Sequence, residues 1–188
     1  MNHLTTITNL EKIISSKKIL SRTNINGEFE DTADENIIQE RNNIEGMNLN
    51  NYVPFHLNEI QFSQGVPYNK SIYDKVEKKD LVILCVPKEF GDLFYLYHPK
   101  SIYTKQAKNL EEFLEEFSKI EKKLAPTGRY NWRDHETKQF FMSEILIYNE
   151  CPIENISKYI VYDSTAKSNL EKLGIEGSKI YIDTGSFR

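Results

Sequence analysis

Glu144 is a carboxylate placed where it could meet a developing positive charge. It enters a strand-forming segment, Ser143 to Tyr148, and is flanked by Phe141, Met142, Ile145 and Leu146. A carboxylate there lies in a partly dry cleft, where its field is stronger than in water, so it can stabilise a cation or take a proton. Arg41 ends a helix-forming segment and offers a planar fork of donors that grips phosphate or carboxylate oxygens in pairs, a geometry lysine lacks. Arg129-Tyr130-Asn131-Trp132-Arg133 interleaves cations with aromatic planes, the pattern that holds single-stranded nucleic acid by phosphate and base together. It contains the only tryptophan. Periodicity alone leaves plainer alternatives open: a solvated glutamate at a strand start, a helix-end cation that suits the helix dipole, and a surface loop whose Trp132 plugs the core.

Other chemistries are poorly served. The histidines His3, His56, His98 and His135 are scattered, Cys85 and Cys151 lie in or beside apolar runs as reduced packing residues, and no paired metal-ligand spacing occurs. Nor is there a glycine-rich phosphate loop. Metal hydrolases and Walker-type nucleotidases are therefore disfavoured, and no metal is expected. The net charge of −4 gives no whole-molecule attraction to polyphosphate, so nucleic-acid contact must come from a local patch. No stretch approaches the roughly 18 apolar residues of a membrane span, and Met1-Asn2-His3-Leu4-Thr5 does not begin like a secretory signal. The expectation is a soluble cytoplasmic protein with no membrane partner, folded as one domain over residues 1–188.

Several elements must position these residues. Asn2 to Thr6 reads as an opening strand, followed by a helix with a capping box at Thr8 and Glu11 and an apolar face of Leu10, Ile13 and Ile14. Asn24 to Gly27 reads as a turn. A second box, Thr32 to Glu35, opens the helix that carries Ile37 and Ile38 and ends at Arg41. Tyr52 to Leu57 is strand-like, with Pro54 favouring an edge or a strand start. Phe55 and His56 face opposite ways, so one of the two is expected to be buried. Leu81 to Val86 and Leu93 to Tyr97, separated by a turn at Gly91-Asp92, should be core strands, and Ala107 to Leu124 the longest helix. Ser157 to Tyr162 and Lys179 to Asp183 read as further strands around a helix from Ser164 stopped by Gly174. Without a regular alternation of strand and helix, the fold class is α+β, with a mixed or split sheet and flanking helices.

Three segments together resemble the DarT family of DNA ADP-ribosyltransferases. Asn2-His3-Leu4-Thr5 running into a helix is similar to the family's opening His-x-Thr strand. Ile38-Gln39-Glu40-Arg41, followed by Tyr52-Val53-Pro54-Phe55, is similar to its helix ending in arginine before a Tyr-Val-Pro-Phe strand. Ser143-Glu144-Ile145 is similar to its late strand entered by Ala-Glu or Ser-Glu. The resemblance implies an ADP-ribosyltransferase fold and transfer of ADP-ribose from NAD to a guanine or thymine base of single-stranded DNA, with release of nicotinamide. The chain departs from the family at 57–66, where thymidine-modifying members carry a Pro-Arg-Ser-Pro-Met-like segment, and Phe55-His56 with Phe62 to Val66 looks closer to the guanine-modifying branch.

The resemblance also implies roles. Glu144 would stabilise the charge on the ribose carbon as in glycoside hydrolysis, and Arg41 would hold the pyrophosphate or the acceptor. His3, Thr5, Tyr52, Phe55 and Tyr68 would contact NAD, although strand aromatics are as readily core residues. Arg129, Tyr130, Trp132 and Arg133 would read a single-stranded or flipped base. The expected biology is a toxin of a toxin–antitoxin or phage-defence pair, opposed by a macrodomain or related ADP-ribosylglycohydrolase antitoxin. An RNA or protein acceptor, or a catalytically silent nucleic-acid-binding module, is the alternative.

Overall fold

The structure, a computed structural model, describes residues 1–27, 29–30, 35–57 and 75–187. Strand β1 (Asn2–Thr6) runs straight into helix α1 (Ile7–Ser16) with no linker. Thr6, the last strand residue, is extended, and its Oγ1 accepts the Asn9 N–H at 3.1 Å. The cap is therefore Thr6 and not Thr8, which lies inside the helix: the residue leaving a strand already has the extended backbone that a cap requires. Leu10 and Ile13 are buried on the sheet as expected. The short β2 (Lys18–Leu20) follows, then α2 (Glu35–Glu40) and β3 (Tyr52–His56). The expected cap of α2 at Thr32 lies outside the described residues.

Strands β4 (Leu81–Cys85) and β5 (Leu93–Leu96) are buried core strands, as their apolar runs predict. The turn between them closes tightly, because a Cβ on Gly91 would collide with the Ile145 side chain. Ala107 is not helical: it ends a short strand, β6 (Lys105–Ala107), and α3 (Leu110–Leu124) starts after Asn109, whose Oδ1 accepts the Glu112 N–H. A helix unanticipated from the sequence, α4 (His135–Phe141), is capped by Asp134. It leads into β7 (Glu144–Tyr148), β8 (Glu150–Pro152), β9 (Lys158–Val161), α5 (Ser164–Lys172) and β10 (Ile180–Ile182).

Among the described residues, eight strands form one sheet in the order β10-β9-β4-β1-β3-β7-β5-β6, and β2 pairs with β8 in a separate ribbon. All neighbours in the large sheet are antiparallel except β9 and β10. The sheet is split in its middle. β1 pairs with β4 from Asn2 to Thr6 and β3 with β7 from Tyr52 to His56, but β1 meets β3 only at Asn2 and His56. Pro54 explains both the split and a correction to its expected place. It sits in a central strand, not at an edge. Its carbonyl accepts the His3 ring from the β1 side, and a residue's N and C=O point the same way in a strand, so the missing donor also faces β1, where no ladder forms.

Helices α1, α3, α4 and α5 all bury their apolar sides against one face, together with Val53, Phe55, Val82, Phe94 and Ile145. Aromatic packing is dense there: Phe113 lies 5.8 Å from Phe94, and Phe117 4.3 Å from Phe140. Each such side chain contributes about 1.5–3 kcal/mol on burial. The opposite face carries two smaller clusters, one around Leu4, Ile83 and Phe187 and one around Ile44, Leu49, Tyr95 and Leu146. Phe55 and His56 point to opposite faces, yet both are buried, because each face is covered at this strand.

Candidate active site

Register sets a polar row across the middle of the less helical face. Asn2 opposes His56, His56 opposes Glu144, and Glu144 opposes Tyr95, so these four side chains share one face between the two smaller clusters. Arg41 enters from the turn after α2. Its Nη1 donates to both Glu144 oxygens at 2.8 Å, joining residues 103 positions apart, with side-chain exposures of only 11% and 6%. Arg41 Nη2 and the Tyr95 hydroxyl are buried without a hydrogen-bond partner among the described residues. Buried donors of this kind are costly unless something accepts from them. Oxygens of a phosphate or ribose have the matching chemistry, so the residues present fit a nucleotide substrate.

The electrostatics keep Glu144 ionised. Burial alone pushes its pKa up, but the charge and hydrogen bond of Arg41, with His56 and His98 nearby, outweigh burial and hold it below the ordinary carboxylate value. The pKa values of His56 and His98 are themselves lowered, first by burial. His98 Nδ1 accepts the Lys100 N–H at 3.2 Å, which leaves the proton on Nε2. Among the described residues no cluster of His, Cys, Asp or Glu could hold a metal, and no helix is long and apolar enough to cross a membrane.

The sequence-predicted residues divide. Arg41 and Glu144 meet. Tyr52 is on the same face, packed edge-on against Tyr148 at 5.2 Å. His3 and Thr5 follow the other face with Phe55: the His3 and Phe55 rings are 5.6 Å apart, and Thr5 Oγ1 accepts from Asn9. His3 Nδ1 donates to the Pro54 carbonyl at 2.9 Å, so Nε2 is left as the acceptor, and burial lowers the pKa to about 4. Tyr68 lies outside the described residues. In the 129–133 segment the arginines are exposed, whereas Tyr130 and Trp132 each pack 4.7 Å from Phe141 and are half-buried. The Tyr130 hydroxyl donates to Glu121 at 2.7 Å, and burial pushes its pKa up to about 12. Three residues of the site, His56, His98 and Tyr95, were not expected there from the sequence. Alternation separates His56 from Phe55, but only the pairing with β7 shows that its face is the one Glu144 occupies. No local signal marks His98 or Tyr95.

Solved structures share this architecture. A DarT from Thermus sp. 2.9 in complex with ADP-ribosylated ssDNA is 19% identical and matches with a TM-score of 0.78 over 100% of this chain and 95% of that one. The same protein in complex with NAD+ gives 16% identity and a TM-score of 0.71 over 100% and 96%. A Thermosipho africanus DarTG in complex with ADP-ribose is 19% identical with a TM-score of 0.73, covering 99% of this chain but 50% of that chain. The fold is that of an NAD-dependent ADP-ribosyltransferase that acts on DNA. A family model described as "ssDNA thymidine ADP-ribosyltransferase, DarT" matches residues 2–187, and the chain belongs to that family. No curated protein matches the sequence.

Proposed function

We propose that Glu144 and Arg41 are the reactive pair of this transferase, that thymine in single-stranded DNA is the acceptor, and that the protein acts as a toxin held in check by an antitoxin. The observation that carries the first part is the largely buried contact of Arg41 Nη1 with both Glu144 oxygens. The bond between the ribose carbon and nicotinamide breaks with its electron pair leaving on nicotinamide. Positive charge grows on the ribose, and an ionised, desolvated carboxylate is the group that stabilises it. A base nitrogen then bonds to that carbon, and its proton is taken up by Glu144. Arg41, with Nη2 still unpartnered, can keep Glu144 charged while it holds a pyrophosphate or acceptor oxygen. Neutral His3 and the exposed Arg129 and Arg133 are assigned to the NAD ribose and to acceptor phosphates.

The family's description supports thymidine. The guanine reading rests on Phe55-His56 and on Phe62 to Val66, and the second stretch lies outside the described residues. The DarTG relative supports an antitoxin partner, for which a macrodomain or ADP-ribosylglycohydrolase has the chemistry that removes the product. Mass spectrometry of single-stranded oligonucleotides of each base composition, incubated with protein and NAD, tests the assignment. One added ADP-ribose on thymine-containing strands, absent with Glu144→Gln, is expected. Addition to guanine only would overturn the base, and addition to RNA or protein only would overturn the acceptor class.

A further inference from the structure

Helix α2 is only six residues long and cannot by itself fix the side chain that follows it. The carbonyls of its last turn need donors from elsewhere. Ile38 O receives the Arg41 N–H at 3.2 Å and also the side-chain amide of Asn50 at 2.9 Å. The same Asn50 Nδ2 donates to Asn42 Oδ1 at 3.0 Å. One side chain thus grips the chain on both sides of Arg41. A backbone carbonyl can only accept, so the amide nitrogen, and not the oxygen, must face Ile38.

Asn50 is itself held firmly. It is 5% exposed. Its N–H donates to Asn48 Oδ1 at 2.9 Å, and its carbonyl accepts from Thr23 Oγ1 at 3.3 Å. The residues either side extend the same connection: the Leu49 N–H donates to Arg41 O at 2.8 Å, and Asn51 O accepts the Asn149 N–H at 2.9 Å. Asn149 directly follows β7, the strand that begins with Glu144. The turn at Leu49–Asn51 therefore ties the peptide of Arg41 to the end of the strand bearing its ion-pair partner. We infer that Asn50 is a positioning residue of the transfer reaction, setting the reach of Arg41 toward Glu144 and substrate.

This inference rests on the reading in which Arg41 and Glu144 are the reactive pair. The test compares Asn50→Ala, which removes the amide without adding charge, with Asn42→Ala and Arg41→Ala, reading kcat, KM for NAD, the pH profile and Tm for each. Misplacing a reacting group by about 1 Å costs on the order of 10²-fold in rate. Asn50→Ala is expected to lower kcat by roughly 10- to 100-fold and to move the acidic limb of the profile upward, as Glu144 loses its close cation. Asn42→Ala, an exposed position that keeps the bond to Ile38, should move both readouts the same way by less. A lowered Tm with unchanged kcat and pH profile in Asn50→Ala overturns the inference. If that variant does not fold, an unchanged profile in Asn42→Ala overturns it instead. Wild-type activity in Arg41→Ala overturns the reading of the reactive pair, a result distinct from failure of the Asn50 variants alone.

Discussion

Two cationic regions of this protein differ in sequence and differ again in structure. Arg129-Tyr130-Asn131-Trp132-Arg133 is contiguous, and its pattern is visible at a glance. Its arginines are exposed, while its aromatic rings are committed to Phe141 and, for Tyr130, to Glu121. Arg41 has no conspicuous neighbours, yet it is buried against a carboxylate 103 residues away. A charge in the first region is screened beyond about 8–10 Å at ordinary salt, whereas one in the second is screened much less. Contiguity marks a surface that can hold a polyanion; burial marks the place where one charge can change a reaction.

The sharpest way to break this contrast is Glu144→Gln, which keeps shape and removes charge. Transfer to DNA should fall by about 10²–10³-fold in kcat, with binding of single strands retained; equal kcat would remove the buried pair from the chemistry. Next in size is Arg41→Ala, expected to cost up to roughly 10²-fold and to alter the pH dependence. The Glu144 pKa is depressed in the folded protein, so the ionised form and its pairing persist at neutral pH and are lost as pH falls through the folded value, below the ordinary 4.5. Without Arg41, burial loses its main opponent and the acidic limb should move up, which rate measurements from pH 4 to 7 would reveal.

Smaller effects belong to the exposed region. Arg129→Ala and Arg133→Ala should raise KM for DNA several-fold and flatten its salt dependence by about 0.7 in log–log slope for each phosphate no longer neutralised. Trp132→Ala separates two roles: a lower Tm with unchanged KM for DNA would make the ring a core plug only. The smallest effect is on stability. His3, His56 and His98 all have lowered pKa values, so the unfolded chain binds more protons below its ordinary 6.5. Urea midpoints should therefore fall as pH drops from 6.5 toward 4, and His3→Phe should make that slope shallower.

Much of the chain was legible before any fold was known. β4 is a continuous apolar run, β7 is rich in strand formers and α3 keeps helical spacing, and their expected spans lie close to those observed. The misreadings have local causes. Thr8 and Glu11 have the spacing of a capping box, but Thr6 was already extended and took the cap. Ala107 continued the helical pattern of α3, yet pairs with Phe94 as the last residue of an edge strand. Pro54 looked like an edge residue because a missing donor normally excludes the centre of a sheet; here the sheet is split at that point. The Arg41 and Glu144 positions were found through family resemblance, since neither stands out by spacing. His98 and Tyr95 carried no signal.

The sequence by itself determined many of the strands and helices, where several of them start and stop, and which residue types could support transfer chemistry, because periodicity, capping and turn preference act over a few residues. Tertiary structure alone decided that β3 lies between β1 and β7 and that His56 and Tyr95 flank Glu144 on one face. It also decided that Arg41 closes on that carboxylate through a turn tied down by Asn50. Strand partners and register are chosen by burying both faces of the whole sheet at once, a condition no local window contains.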